Sequence, residues 1–150
     1  MILLKKILLT SDLSEFSLAA LDHASSLGLL YAAKLYLLYV NEHVHRKSEE
    51  EARIALEQFV TRRVSPDVKL SQVIRSGHAA DKIREFAVEE GVDLIVMATH
   101  GRTGVRHALM GSVAERVVRR SPIPVLTIKP APFRESLILN EDIENELHLR

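Results

Sequence analysis

The sequence contains no cysteine and no tryptophan, and only 5% of its residues are aromatic. Without thiols there is no disulfide framework, no thiolate zinc site and no cysteine nucleophile, a composition that suits a reducing compartment. Neither sign of charge is in excess, since 20 Lys and Arg offset 20 Asp and Glu. Global electrostatics therefore give no reason to expect nucleic acid or an anionic membrane as a partner. No apolar run approaches the roughly 20 residues of a membrane-spanning helix. Met1 to Thr10 has short apolar runs broken by Lys5 and Lys6 and no small-residue cleavage site. It reads as a first strand rather than a signal peptide, and the protein as cytoplasmic. Two familiar phosphate signatures are missing, Gly-x4-Gly-Lys-Ser/Thr and a Gly-x-Gly-x-x-Gly that follows a strand, which argues against a P-loop NTPase or a nicotinamide dehydrogenase.

What is present is 47% apolar content in 150 residues, enough for one core that buries roughly 70% of the unfolded surface without metal or disulfide. Short apolar runs alternate with longer amphipathic ones, the pattern of a parallel α/β sheet covered by helices. The predicted strands are Lys6–Thr10, Lys34–Val40, Val68–Arg75, Asp93–Ala98 and Pro124–Ile128. Four are near-continuous apolar runs, as strands buried on both faces require. The third alternates Val68, Leu70, Gln72 and Ile74 with Lys69, Ser71, Val73 and Arg75, which predicts an edge strand.

Four helices are expected between the strands. The first carries Phe16, Ala19, Ala20, His23, Ala24 and Leu27 at helical spacing with Gly28 as its stop. The second opens on a Ser48–Glu51 capping box. The third has a stripe of Ala79, Ala80, Ile83, Phe86 and Ala87 closed by Gly91. The fourth opens on a Ser112–Glu115 box, turns Val113, Val117 and Val118 inward and stops at Pro122. The expected domain is 1–131. Beyond it, 132–150 is an acidic tail, with five acids against two arginines from Phe133 onward; a helix and a disordered segment both fit it.

In such a sheet, ligands bind beyond the carboxyl ends of the strands, where the connections diverge. The loop from Ala98 to Ser112 holds three of the six glycines, between a buried strand and a helix start. Glycine lets backbone N–H groups approach an oxyanion, and a helix N-terminus favours a phosphate. Segment 100–120 carries Arg102, Arg106, Arg116, Arg119 and Arg120 against Glu115 alone. The charge thus favours an anion, although glycines ending a long loop and arginines on a solvated helix face would give the same pattern.

Ala98-x-x-Gly101-x9-Gly111-Ser112, with Asp12 closing the first strand and Pro122-Ile123-Pro124-Val125-Leu126 after it, resembles the universal stress protein family over about residues 3 to 130. Gly-x2-Gly-x9-Gly-Ser/Thr marks the ATP-binding branch of that family. Here Ala98 stands in the first glycine position. In β geometry its methyl is a small perturbation; at positive φ it costs roughly 1–2 kcal/mol. The resemblance implies a single-domain open parallel five-stranded sheet in order 3-2-1-4-5 with helices on both faces. It places Thr10, Ser11, Asp12 and Val40 at the adenosine, Ala98 and Gly101 at the ribose and α-phosphate, and Gly111, Ser112 and Val113 at the outer phosphates of ATP carrying Mg2+. Met97 joins this set, and Arg102 is added on charge and position. The family commonly dimerises through its last strand. An apolar Val125–Ile128 edge needs such a cover, and a homodimer or a folded-back tail would supply it.

Other candidates read less sharply. Asp12 with Ser14 suggests an activated nucleophile, but no base is placed for it and Ser14 suits a cap of the first helix. His43 and His45 share a face when extended, yet two imidazoles fall short of a zinc site. His100 and His107 flank the glycine loop, where a phosphate contact and plain packing fit equally; His23 reads as a core or boundary residue. Tyr31, Tyr36 and Tyr39 lack the basic interleaving of a nucleic-acid platform. The expected function is a small ATP-binding stress regulator, a nucleotide-dependent switch for an unidentified protein partner and at most a slow ATPase, since no general base is identifiable. The alternatives are a nucleotide-free dimeric interaction module and an adenylating enzyme, whose glycine-rich first loop is missing from Thr10 to Ser14.

Overall fold

The structure, a computed structural model, describes residues 1–61, 63–101 and 110–130. In chain order it contains β1 (Lys6–Ser11), a 3-10 turn (Glu15–Ser17), α1 (Leu18–Leu30), β2 (Lys34–Asn41), α2 (Glu49–Val60), β3 (Lys69–Ser76), α3 (Ala79–Glu90), β4 (Leu94–Ala98), α4 (Ser112–Arg120) and β5 (Val125–Ile128). All neighbouring strands are parallel, and their order is β3-β2-β1-β4-β5. The alternating strand is indeed an edge, and β1, with its apolar Ile7-Leu8-Leu9 run, is central.

Register follows from burial. Ile7 pairs with Leu35 on one side and Leu94 on the other, and Leu9 pairs with Leu37 and Val96. Ile7, Leu9, Leu35 and Leu37 point to one face, where Ala20, Leu21 and Ala24 of α1 and Leu56 and Phe59 of α2 cover them. Leu8, Tyr36, Leu38 and Ile95 point to the other, against Ala80, Ile83, Phe86 and Ala87 of α3 and Ala114 and Val117 of α4. Two apolar layers thus sandwich the sheet. Asp93 ties the strand starts together, its Oδ2 accepting from the N–H groups of Lys5 at 2.8 Å and Lys6 at 2.9 Å.

The Ser48–Glu51 capping box is formed in both directions, and Gly91 closes α3 with φ 63°. Other expectations need correction. Helix one begins at Leu18 after the 3-10 turn, and Gly28 is not its stop but lies buried in its last turn, facing Val68, Ala33 and Leu35. The chain reverses instead through Ala32, held at φ 51°. Gly111, not Ser112, is the N-cap of α4, without a side-chain cap bond, and Glu115 pairs with Arg119 at 2.9 Å instead of closing a box. Val118 faces solvent, and Ala114 takes the inward position. His23 is exposed, its ring bonded to the Ala19 carbonyl.

Ala32 is exposed, so its left-handed backbone is strain without a packing return. Ala32→Gly is expected to raise stability by about 1 kcal/mol and Tm by about 2–4 °C, measured by thermal unfolding.

Candidate functional site

Because β1 connects to β2 on one side and its other neighbour is β4, the connections diverge beyond the carboxyl ends of these two strands. A cleft of about 390 Å³ opens there. Its walls come from the ends of β1, β2 and β4 and the first turns of α3 and α4.

The β1 wall is a hydroxyl-pinned turn. Asp12 Oδ1 accepts from the Ser14 N–H at 3.0 Å and the Ser14 hydroxyl at 2.5 Å. Between them Leu13 is left-handed, with φ 64°, and its N–H donates to Ser11 Oγ at 2.9 Å. Ser11 Oγ meets Ser17 Oγ at 2.7 Å, and the Ser17 hydroxyl donates to the Ser14 carbonyl. Ser14 therefore does not cap α1: its hydroxyl orients the Asp12 carboxylate. Short polar side chains that bond their own backbone make such a bend affordable.

The β4 wall explains two glycines. A Cβ on Gly101 would collide with the Asp12 carboxylate, and one on Gly111 would sit 3.2 Å from the Thr99 carbonyl. The Gly111 N–H donates to that carbonyl at 2.6 Å, which docks the start of α4 onto the end of β4. Gly111 thus gives its own N–H to the protein; Ser112 and Val113, whose N–H groups open α4 without a partner inside the helix, line the cleft. Ala98 lies in β4, in register with Ile128, and is not among the left-handed residues. It therefore contributes only a methyl. His100 is buried, its Nδ1 2.8 Å from Thr99 Oγ1: its ring packs the loop against the strand end.

Ten of the eleven expected binding residues line this one cleft: Thr10, Ser11, Asp12, Val40, Met97, Ala98, Gly101, Gly111, Ser112 and Val113. The eleventh, Arg102, lies outside the described residues, as do Arg106, His107 and the tail. Sequence reasoning missed Ala79 and Ile83, through which α3 reaches the cleft. It also missed Asn41, buried at the end of β2, whose Nδ2 donates to the Lys47 carbonyl at 2.9 Å and whose Oδ1 accepts from the His43 N–H at 3.2 Å. Asn at a strand end was the available signal, since its side chain closes turns onto nearby backbone. His43 and His45 are both exposed. Among the described residues no group of three His, Cys, Asp or Glu is placed to hold a metal ion, and no helix is long and apolar enough to cross a membrane.

The sequence pattern of the universal stress protein family matches residues 4–129. The chain belongs to that family. MJ0531, a universal stress protein of Methanocaldococcus jannaschii, is 35% identical over 141 residues, covering 85% of this chain and 83% of its own. The solved structure of MJ0577, from the same organism, superposes with a TM-score of 0.75 at 33% identity, covering 85% of this chain and 96% of that one. Two further solved universal stress proteins share the fold. One is in complex with cAMP (TM-score 0.69, 24% identity, 85% and 98% coverage), and one from Archaeoglobus fulgidus is in complex with dAMP (0.65, 21%, 86% and 100%). The universal stress protein fold thus accounts for every described element of the chain from β1 to β5, and the cleft lies inside the matched region.

Proposed function

We propose that this universal stress protein binds an adenine nucleotide, foremost ATP with Mg2+, in the cleft between β1 and β4, and acts as a nucleotide-dependent switch. The observation that carries the reading is the convergence on one cleft of a glycine seated against the Asp12 carboxylate and a helix N-terminus without a side-chain cap. The apolar Val40 and Met97 offer a surface for a base, Asp12 an acceptor for sugar or base N–H and O–H groups, and the Ser112 and Val113 amides donors for phosphate oxygens. Mg2+ would arrive on the phosphates, as it commonly does, with few or no protein ligands. Relatives of the same fold occur in complex with cAMP and dAMP, and Ala98, in strand geometry, sets no backbone penalty against a nucleotide.

Binding would act by favouring the conformation that holds α4 and the glycine loop in place for a protein partner. A cytoplasmic homodimer fits this reading: β5 is an outer strand with Leu126 exposed, an edge that a second copy would cover. Thermal unfolding with and without Mg-ATP tests the proposal. At about 100 times Kd the nucleotide is expected to add about 2.7 kcal/mol, a rise in Tm of several degrees. No shift at millimolar Mg-ATP would end the reading in favour of a nucleotide-free interaction module.

A further inference from the structure

Beside the cleft lies a second cavity of about 210 Å³, lined by Glu42, His78, Ala80, Ser112, Val113 and Arg116. Glu42, Ser112 and Val113 also line the main cleft, so the two spaces meet at the start of α4. Arg116 follows Ser112 by four residues, on the same helix face one turn further on. Its Nη1 donates to His78 Nε2 at 3.0 Å. A guanidinium only donates, so this places the ring proton on Nδ1, which faces Asp81 Oδ2 at 3.4 Å. His78 therefore positions Arg116 as a neutral acceptor and does not itself offset its positive charge. Neighbouring charges are otherwise committed: Glu115 pairs with Arg119, and Glu42, whose charge opposes an anion here, directs Oε1 to the Ala79 N–H at 2.8 Å.

We propose that Arg116, positioned by His78, takes the terminal phosphate of a bound nucleoside triphosphate and sets the preference of the site for three phosphates over one. This rests on the adenine-nucleotide reading above. A nucleotide whose phosphates run from the Ser112 and Val113 amides along α4 meets Arg116 last, so a monophosphate stops short of it. The guanidinium fork suits a phosphate that presents more than one oxygen.

Titration calorimetry of the full chain with Mg-ATP and AMP, on wild type, R116A, R116K and H78A, tests this. Wild type is expected to bind ATP at least tenfold more tightly than AMP. R116A is expected to weaken ATP by about tenfold or more, the scale of a hydrogen bond to a charged group, and to leave AMP within about twofold. R116K, which keeps the charge without the fork, falls between, and H78A weakens ATP severalfold while sparing AMP. Arg116 and His78 are exposed, so unliganded Tm values should stay close to wild type; should R116A unfold, R116K carries the comparison. Equal losses for ATP and AMP, or no loss for ATP, would overturn the assignment of Arg116 while leaving the nucleotide site standing. Wild type that binds neither nucleotide would remove the underlying reading and this one with it.

Discussion

Gly101→Ala is expected to remove about half or more of the nucleotide-dependent stabilisation while the protein stays folded. The added Cβ falls on the Asp12 carboxylate. That carboxylate is no loose end, because Ser14 holds Oδ1 through two hydrogen bonds and Leu13 beside it is locked in a left-handed conformation. Relief must come from moving the Asp12 turn or the backbone at Gly101, and both form the wall of the cleft. The cost to folding should be about 1–3 kcal/mol, as for overpacking elsewhere, and the affinity for Mg-ATP should fall by more than about tenfold. Denaturant unfolding supplies the first quantity and the Mg-ATP shift in Tm the second. A variant that keeps the full shift would show that this part of the cleft does not meet the nucleotide.

Phe86→Ala carries the largest expected loss of stability, about 3–5 kcal/mol and a fall in Tm of about 10 °C. Phe86 is 3% exposed in the layer under α3. Its ring meets Tyr36 edge-on at 5.3 Å between centroids and 74° between planes, an arrangement that adds to simple burial, and the Arg75 guanidinium lies 5.5 Å from its centroid. Truncation opens a cavity between helix and sheet that neither rigid element can close. Val88, 57% exposed on the same helix, supplies the contrast: Val88→Ala should stay within about 0.5 kcal/mol. A Phe86→Ala loss below about 1 kcal/mol in urea unfolding would contradict this account of the core.

Phe86 belongs to the part of the molecule that the sequence announces. Its stripe, the apolar runs of the central strands and the alternation of β3 each reflect which faces are covered, and burial is what periodicity records. The errors lie where periodicity is silent. Gly28 reads as a stop by residue type, yet it lies buried within the last turns of α1, in ordinary contact range of Val68 and Leu35. Ala32 and Leu13 take left-handed backbones that their residue types disfavour, imposed by the connections they sit in. At Ser112 the Ser-x-x-Glu pattern was met in letters only, because the Gly111 N–H bonds Thr99 and fixes the helix start one residue earlier. The cleft was legible through its glycines and strand ends, whereas Ala79 and Ile83 reach it from a helix whose approach only the packed structure defines.

The central position of β1 also shapes how the chain is made. Its partner β2 follows after the single helix α1, and β3 completes that half after α2, so the ribosome can deliver a three-stranded half-sheet early. The other flank of β1 stays bare until Asp93 and β4 are synthesised, Asp93 coming 87 residues after Lys6. During that interval the nascent half exposes an unpaired apolar strand edge, and the pairing of β4 along β1, with Asp93 clasping the amides of Lys5 and Lys6 at its start, ends the exposure.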